Sequence, residues 1–363
     1  MSVYMEGAAR MQPMNLPPLR ERPLVSVLIG NYNYARYIAA TLDSVAVQTY
    51  TNFEVIVCDD GSTDNSREII GEFPRKDGRF KLVVRENGGQ TAALNEAYRH
   101  ATGDIVCFLD SDDTFDPDKL ASIVAAFHAD PSAGMCTHYL RVVDTMGQPL
   151  LDRTPHFLDS GWLGPTTLLR GAAVFAPNTS ALSLRRQVSD CVFPISLTIV
   201  MDADGYMNSI VPFLTRVTTV NRILASYRVH GKNGVGLVLL TPGRLAKEMK
   251  MIETRHFEAC RFLASRYPPS IAAKLKLEDN PFYLQTVLKA RALGHTSARS
   301  DWGSARQIIR RLGSRHWRRF WQLMFAIPEP ARAPAVRLVS QLTTIKNWLI
   351  RSRMRPAPAP RGA

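Results

Sequence analysis

The chain has 363 residues, 45% of them hydrophobic, and a formal net charge of +13 at pH 7. This length allows a large buried core and favours more than one domain, and the composition is that of a globular protein. The sequence has no apolar run of about 18 residues, which a membrane-spanning helix needs, and its N-terminus lacks the pattern of a signal peptide.

The first part of the chain alternates between short apolar runs and segments with helical spacing. Residues 1–22 are polar and aperiodic, so they predict a loosely ordered leader. Apolar runs at 24–29, 53–58, 80–84 and 105–109 predict four strands, and the segments between them place apolar residues on one helix face. This alternation indicates a doubly wound α/β domain with a parallel sheet of the Rossmann type.

The five cysteines lack the spacing of metal ligands. Cys58 and Cys107 fall within or beside predicted strands, which favours small core residues over disulfides, as in a reducing cytosol. We therefore expect a cytoplasmic protein.

Polar residues follow the predicted strands at their carboxyl ends. Asp60 lies just after the second strand, and the fourth strand runs directly into Asp-Ser-Asp-Asp at 110–113. In open α/β sheets the ligand crevice lies at this edge, and clustered carboxylates suit Mg²⁺ or Mn²⁺ that also holds substrate phosphates. The alternative is a solvated acidic turn. Because no G-x-G-x-x-G follows the first strand, the dinucleotide-binding fingerprint is absent.

A series of motifs follows in order between residues 23 and 120: 25–33, 48–57, 59–64, 87–89, 93–95, 103–104 and 110–113. Together they resemble the family 2 glycosyltransferases, which have the GT-A fold. The resemblance implies an α/β, Rossmann-like nucleotide-diphosphosugar transferase domain over residues 23–235.

By position, the resemblance also assigns roles to individual residues. It implies that Tyr32 stacks near the nucleobase, that Asp60 hydrogen-bonds the base, and that Asp110 faces the ribose or sugar. Asp112 would be the direct ligand of Mn²⁺ or Mg²⁺. The full set implied to bind the nucleotide sugar is Tyr32, Asn33, Asp60, Asp110, Ser111 and His230.

A second acidic stretch contains Asp202 and Asp204. The resemblance implies that Asp204 is the catalytic base, although this chain has Ala203 where many family members have another acid. Asp202 is the second candidate, and an ordinary helix N-cap is the structural alternative. His230 closes a Tyr-Arg-x-His segment that the resemblance places near the metal and diphosphate, whereas a lone histidine is more often structural.

From about residue 236 the chain changes character. Residues 236–305 predict a helical extension, and residues 306–363 predict a basic amphipathic C-terminal region whose last residues are disordered. The second segment has twelve arginines and one lysine against one glutamate, a net charge of +12. Aromatic residues are interleaved with these arginines, among them Trp317, Phe320, Trp321 and Trp348. The pattern suits an anionic membrane surface, with a packed helical subdomain or nucleic-acid binding as alternatives.

The resemblance, together with the acidic residues at the matching positions, implies a metal-dependent, inverting glycosyltransferase. It would move a sugar from a nucleotide diphosphosugar, with a UDP-sugar favoured, to a hydroxyl of a carbohydrate or lipid-linked acceptor. The expected setting is cell-surface polysaccharide or glycolipid synthesis at the inner face of the plasma membrane, without a nucleic-acid partner. A catalytically silent GT-A scaffold or binding module docked at the membrane is the alternative. A nucleotidyltransferase is disfavoured because no Gly-rich phosphate loop follows the first strand.

Overall fold

A computed structural model describes residues 11–155, 158–170, 177–230, 241–295, 298–312 and 314–338. Its strands are β1 (Val25–Asn31), β2 (Phe53–Asp59), β3 (Phe80–Val84), β4 (Ile105–Asp110), β5 (Thr114–Phe115), β6 (Ala133–Val143), β7 (Pro149–Thr154), β8 (Leu182–Arg185) and β9 (Arg216–Arg228). Its helices are α1 (Ala35–Ala46), α2 (Ser66–Gly71), α3 (Phe73–Lys76), α4 (Gln90–Arg99), α5 (Lys119–Ala129), α6 (Gly164–Arg170), α7 (Arg186–Val192), α8 (Ala203–Leu214), α9 (Pro242–Arg266), α10 (Pro269–Ala272), α11 (Pro281–Ala292), α12 (Ala305–Arg311) and α13 (Arg315–Ala326). Residues 329–338 are also helical.

The strands of the described residues form one mixed sheet, in the order β3-β2-β1-β4-β8-β6-β9-β5, with β7 paired to β6. β3, β2, β1 and β4 are parallel, so the predicted α/β fold is confirmed there. The sheet differs from a wholly parallel one beyond β4, because β8 runs antiparallel to both β4 and β6. Gly30 lies opposite both Cys58 and Asp110 in this register. The carboxyl ends of these three strands therefore meet at one edge.

Helices cover both faces of the parallel half, which explains its continuous apolar runs. Successive residues of β1 point to opposite faces. Val27 and Ile29 belong to the same buried cluster as Leu42 of α1, whereas Leu28 is buried with Ala97 of α4. Because the strands are fixed from both sides, the loops at their carboxyl ends rest on a rigid base.

The described part of the predicted leader is packed on the domain. Residues 11–22 contain no helix or strand, yet Met11 and Leu16 are buried. The backbone N–H of Met14 donates to the carbonyl of Leu214 at 2.7 Å. This part of the leader is therefore held in place, because its apolar side chains cover the core and its backbone is hydrogen-bonded.

The C-terminal helices have a core of their own. Residues of α9, α11 and α12 are buried together in it: Ile252, Tyr283, Val287 and Ile309. Trp321 joins this core and is 1% exposed, Phe320 packs against it, and Trp317 remains 41% exposed. For Trp321 the structure therefore fits the alternative of a packed helical subdomain, because the indole is buried between helices. Trp348 lies outside the described residues.

None of the helices in the described ranges is long and apolar enough to cross a membrane. Cys58 and Cys107 are buried and not paired in disulfides, as the sequence predicts.

Lys119 at the start of α5 is a buried amine. Its Nζ lies 3.4 Å from the centroid of the Phe115 ring and has no hydrogen-bond partner among the described residues. Burial lowers the pKa of Lys119 from 10.5 to about 8. Below about pH 8 Lys119 is protonated in both the folded and the unfolded chain, so the folded chain is destabilised by the full cost of burying the charge. Between about pH 8 and 10.5 Lys119 loses its proton only in the folded chain, so the free energy of unfolding rises with pH.

Lys119→Met is therefore expected to raise the free energy of unfolding at pH 7 by about 1–3 kcal/mol, since it removes a buried charge. The variant should also lose the rise in stability between pH 8 and 10. Urea unfolding of both proteins at several pH values measures both effects. A variant that is less stable than the wild type at pH 7 would contradict this account.

Candidate active site

Asp112 and His230 are brought together at the carboxyl edge of the sheet. Asp112 Oδ2 lies 2.8 Å from His230 Nε2, although the residues are 118 positions apart, and both side chains are less than a tenth exposed. The pairing of β5 with β9 holds the loop after β4 against the end of β9. Arg228 adds to this contact, because its Nε donates to the carbonyl of Asp112 at 2.8 Å.

Two tyrosines of the chain segment around the start of α1 surround the imidazole. The ring of Tyr37 stacks on His230 at 5.4 Å between centroids, and Tyr34 meets it edge-on at 5.6 Å. Sequence reasoning named Tyr32 but missed both of these residues. Three tyrosines within six positions were the available signal, but only the packing of α1 against the end of β9 shows which two face His230.

The other residues of the acidic loop are tied to the protein by distinct contacts. Asp113 is buried and accepts hydrogen bonds from the Ser180 hydroxyl and from the backbone N–H of Arg228, so it anchors the loop. Asp110 Oδ1 accepts a bond from Gln90 Nε2 at 3.3 Å. Ser111 is buried, and its carbonyl accepts a bond from the Thr41 hydroxyl at 3.0 Å.

These acids share a poorly solvated site. Burial, together with the charges of Asp112 and Asp204, raises the pKa of Asp110 to about 8. Burial also raises the pKa values of Asp112, Asp113 and Asp204. Several carboxylates at one edge favour a bound cation, which would neutralise them. No three Asp, Glu, His or Cys side chains of the described residues converge as a complete metal cage.

Asp202 and Asp204 lie at the start of α8. Asp202 caps the helix in the left-handed conformation, with φ of 79°. Its Oδ2 lies 2.6 Å from Arg255 Nη1 of α9. Burial raises the pKa of Asp202 to about 7, the charge of Arg255 opposes this rise, and Asp204 adds to it. Burial raises the pKa of Asp204, and the nearby backbone of Gly205, the charge of Arg255 and the backbone of Thr179 oppose this rise.

The loop after β1 holds Tyr32 and Asn33. Tyr32 is 45% exposed, so its ring is available to a ligand. Asn33 has a φ of 58°, and its Oδ1 accepts a bond from the backbone N–H of Thr63 at 2.7 Å. Its own N–H donates to the Ser62 hydroxyl at 3.0 Å. Asn33 therefore joins the loops after β1 and β2.

Asp60 is held by the loop between β3 and α4. Its carboxylate pairs with Arg85 and accepts the backbone N–H bonds of Gly88 at 3.0 Å and Gly89 at 2.7 Å. Gly61 has a φ of 80°, and a Cβ there would lie 2.8 Å from the Asn87 nitrogen, so the two loops can approach closely only with glycine. A cavity of about 580 Å³ is lined by Gly61, Arg67 and residues 84–87.

Asp60→Ala is expected to weaken nucleoside diphosphate binding by about 1–3 kcal/mol, because Arg85 and two amides lose their acceptor. Calorimetric titration with UDP and GDP measures the change. Asp64→Ala is the matched control, since the Asp64 carboxylate accepts bonds from Ala35 and Ser66 away from this cavity. Equal affinities for Asp60→Ala and wild type would contradict the predicted role of Asp60 in nucleotide binding.

Comparison with known proteins identifies the family. The model of "Glycosyl transferase family 2" matches residues 26–185. An uncharacterized glycosyltransferase of Nostoc sp. is 33% identical over 291 residues, which are 78% of this chain and 88% of the relative. The chain belongs to glycosyltransferase family 2. This is the family that the sequence motifs predict.

Two further similarities are more limited. The Escherichia coli enzyme named UDP-Glc:alpha-D-GlcNAc-diphosphoundecaprenol beta-1,3-glucosyltransferase WfgD is 44% identical over 98 residues, 27% of this chain and 38% of the relative. The crystal structure of Staphylococcus aureus TarS 1-349 has a TM-score of 0.54 and 16% identity, covering 89% of this chain and 91% of that one. At this identity the structural likeness of the transferase to TarS shows the fold.

Proposed function

We propose that this transferase moves a sugar from a nucleoside diphosphosugar to an acceptor hydroxyl, with a divalent metal ion and with inversion at the anomeric carbon. The observation that carries the proposal is the acidic cluster at the carboxyl edge of the sheet. Asp112 and His230 form one pair in this cluster, and Asp202 and Asp204 form another. Asp110 connects the two pairs. Gln90 bonds both to the Asp110 carboxylate and to the backbone of Asp202, and the charges of Asp112 and Asp204 raise the pKa of Asp110.

Asp112 and His230 are the residues that we assign to Mn²⁺ or Mg²⁺. Their donor atoms already lie together, and the surrounding buried carboxyl groups favour a cation. Two protein donors leave positions for phosphate oxygens, as in magnesium sites that hold a substrate diphosphate. When bound, the ion would neutralise the charge that develops on the leaving diphosphate.

The catalytic base is assigned to the pair Asp202 and Asp204, with Asp202 preferred. A left-handed backbone is uncommon for a residue other than glycine, and such strain clusters at functional sites. A pKa of about 7 suits a base that works near neutral pH. Burial raises the pKa of Asp204 as well. Asp204, the residue that the sequence predicts, is the second assignment.

In this proposal, the aspartate takes the proton of the acceptor hydroxyl. The acceptor oxygen then bonds to the anomeric carbon from the side opposite the diphosphate, whose bond to that carbon breaks. Tyr32 and Asp60 would hold the nucleoside beside the cavity at Arg85. A UDP-sugar donor and a lipid-linked acceptor are our first choices, since the name of the WfgD relative contains both.

The test is a donor panel of UDP-glucose, UDP-N-acetylglucosamine and GDP-mannose, each with Mn²⁺, with Mg²⁺ and with a chelator. Metal-dependent release of nucleoside diphosphate from at least one donor is expected, by transfer to water or to an added acceptor. Calorimetry measures binding separately. If no donor binds or reacts, the alternative of a catalytically silent scaffold is favoured instead.

We also propose that the transferase docks on an anionic membrane surface in cell-surface polysaccharide or glycolipid synthesis. Arginines of the helices α12 and α13 and of residues 329–338 are exposed: Arg306, Arg310, Arg311, Arg315, Arg319 and Arg337. With Trp321 buried, attraction to anionic headgroups rather than aromatic insertion would supply most of the binding.

The double variant Arg315→Gln, Arg319→Gln is expected to bind anionic vesicles about 2 kcal/mol more weakly than wild type, since each arginine contributes about 1 kcal/mol. Co-sedimentation at low and high salt measures the loss, and salt should weaken both proteins. The double variant Arg75→Gln, Arg99→Gln is the control, because both residues are exposed on the catalytic domain. If the wild type does not bind anionic vesicles, the membrane proposal is contradicted.

A further inference from the structure

The segment before α8 is held by one face of α9. Arg255 and Glu258 are three residues apart on that helix and so lie on the same side of it. Arg255 Nη1 lies 2.6 Å from Asp202 Oδ2, and Glu258 Oε1 accepts a bond from the Thr198 hydroxyl at 2.8 Å. The Arg255 side chain is 18% exposed and that of Asp202 is 13% exposed, so little water screens their pair.

The same segment is fixed from the opposite side by α4. Gln90, the first residue of α4, accepts a bond from the backbone N–H of Asp202 through Oε1 at 3.3 Å. Its Nε2 donates to Asp110 Oδ1, also at 3.3 Å. Asp202 is therefore held between Gln90, which also bonds to Asp110, and Arg255 of the C-terminal helical extension.

A larger residue at position 205 would displace one of the two paired side chains, because both end beside Gly205. A Cβ on Gly205 would lie 2.2 Å from Asp202 Oδ1 and 2.4 Å from Arg255 Nη1. The first turn of α8 is thus shaped so that the guanidinium reaches the carboxylate.

We propose that Arg255 is a positioning residue for the catalytic carboxylate Asp202, so that the helical extension completes the active site. The inference rests on the proposed function. Arg255 does two things through one contact. It fixes the direction of the Asp202 carboxylate, and its positive charge favours the ionised form of that carboxylate against the effect of burial. Among the groups facing Asp202, Asp204 of α8 acts against this effect.

The experiment compares Arg255→Met and Arg255→Lys with wild type, using release of nucleoside diphosphate from the best donor of the panel. Arg255→Met is expected to lower the rate at pH 7 about a hundredfold, as misplaced catalytic groups do. The acid side of its pH–rate profile should shift to higher pH by about 1–3 units, because the loss of a neighbouring cation raises the pKa of Asp202. The rate should recover as the pH rises, and affinity for the donor should stay unchanged.

Two further measurements separate positioning from folding. Guanidinium ion, added well below denaturing concentrations, should restore part of the rate of Arg255→Met, and Arg255→Lys should retain part of it. Arg266→Met, which removes an exposed arginine at the end of the same helix, is the matched control and should resemble wild type. A rate loss that is equal at all pH values and is not rescued would overturn the inference. So would an unchanged rate. A wild type inactive with every donor would instead count against the proposed function.

Discussion

Asp202→Asn is expected to lower the rate of sugar transfer by about two to four orders of magnitude, the usual contribution of a general base. The amide cannot take the proton of the acceptor hydroxyl, whereas it retains the size of the carboxylate. Affinity for the nucleoside diphosphosugar should therefore change little. In the wild type the rate should fall as the pH drops below about 7, since burial raises the pKa of Asp202 to that value and the base must be unprotonated.

The matched experiment is Asp204→Asn, measured under the same conditions. If Asp204→Asn loses transfer while keeping donor affinity, and Asp202→Asn keeps its rate, then the base is Asp204, as the sequence predicts. Asp43→Asn, on the exposed face of α1, controls for the loss of an acid elsewhere. Steady-state rates and calorimetric donor titrations of the three variants distinguish these outcomes.

Asp112→Asn is expected to remove transfer almost completely. A divalent ion at a leaving diphosphate is worth several kcal/mol, which corresponds to a loss of about three orders of magnitude or more. The variant should also bind nucleoside diphosphate no more tightly with Mn²⁺ than without it. His230→Gln should show the same loss of metal-dependent affinity, since its Nε2 lies beside Asp112 Oδ2.

Asp116→Asn is the control for this prediction. Asp116 is another acid just after the acidic loop, but its carboxylate pairs with Arg141. Donor titrations with Mn²⁺, with Mg²⁺ and with a chelator measure the metal dependence of each protein. Full activity of the wild type in excess chelator would refute the metal assignment of both Asp112 and His230.

Much of the catalytic domain could be predicted from local patterns. The four apolar runs became β1 to β4 within about two residues, because buried parallel strands are continuous apolar segments. Their polar ends fall at one edge for a geometric reason, since parallel strands in register end together. This placed Asp60 and residues 110–113 near one another without any knowledge of tertiary contacts.

The tail shows where such patterns stop being informative. Arginines interleaved with aromatic residues fit a membrane surface and a helical subdomain equally well, because both environments bury one helix face. Trp321 packs against the helices that precede it, and this contact depends on residues such as Ile252 and Tyr283 far along the chain. Only the folded arrangement decides which face is covered.

The sequence by itself determined the family, the parallel half of the sheet and most of the acidic residues at its edge. The motifs of these regions are local in the sequence, so they indicate a strand, a turn or a carboxylate without any tertiary contact. The tertiary structure alone decided which groups act on one another: Tyr34 and Tyr37 around His230, Arg85 on Asp60, and Arg255 on Asp202. These partners are separated along the chain, and ion pairs and ring contacts depend on distances that only packing sets.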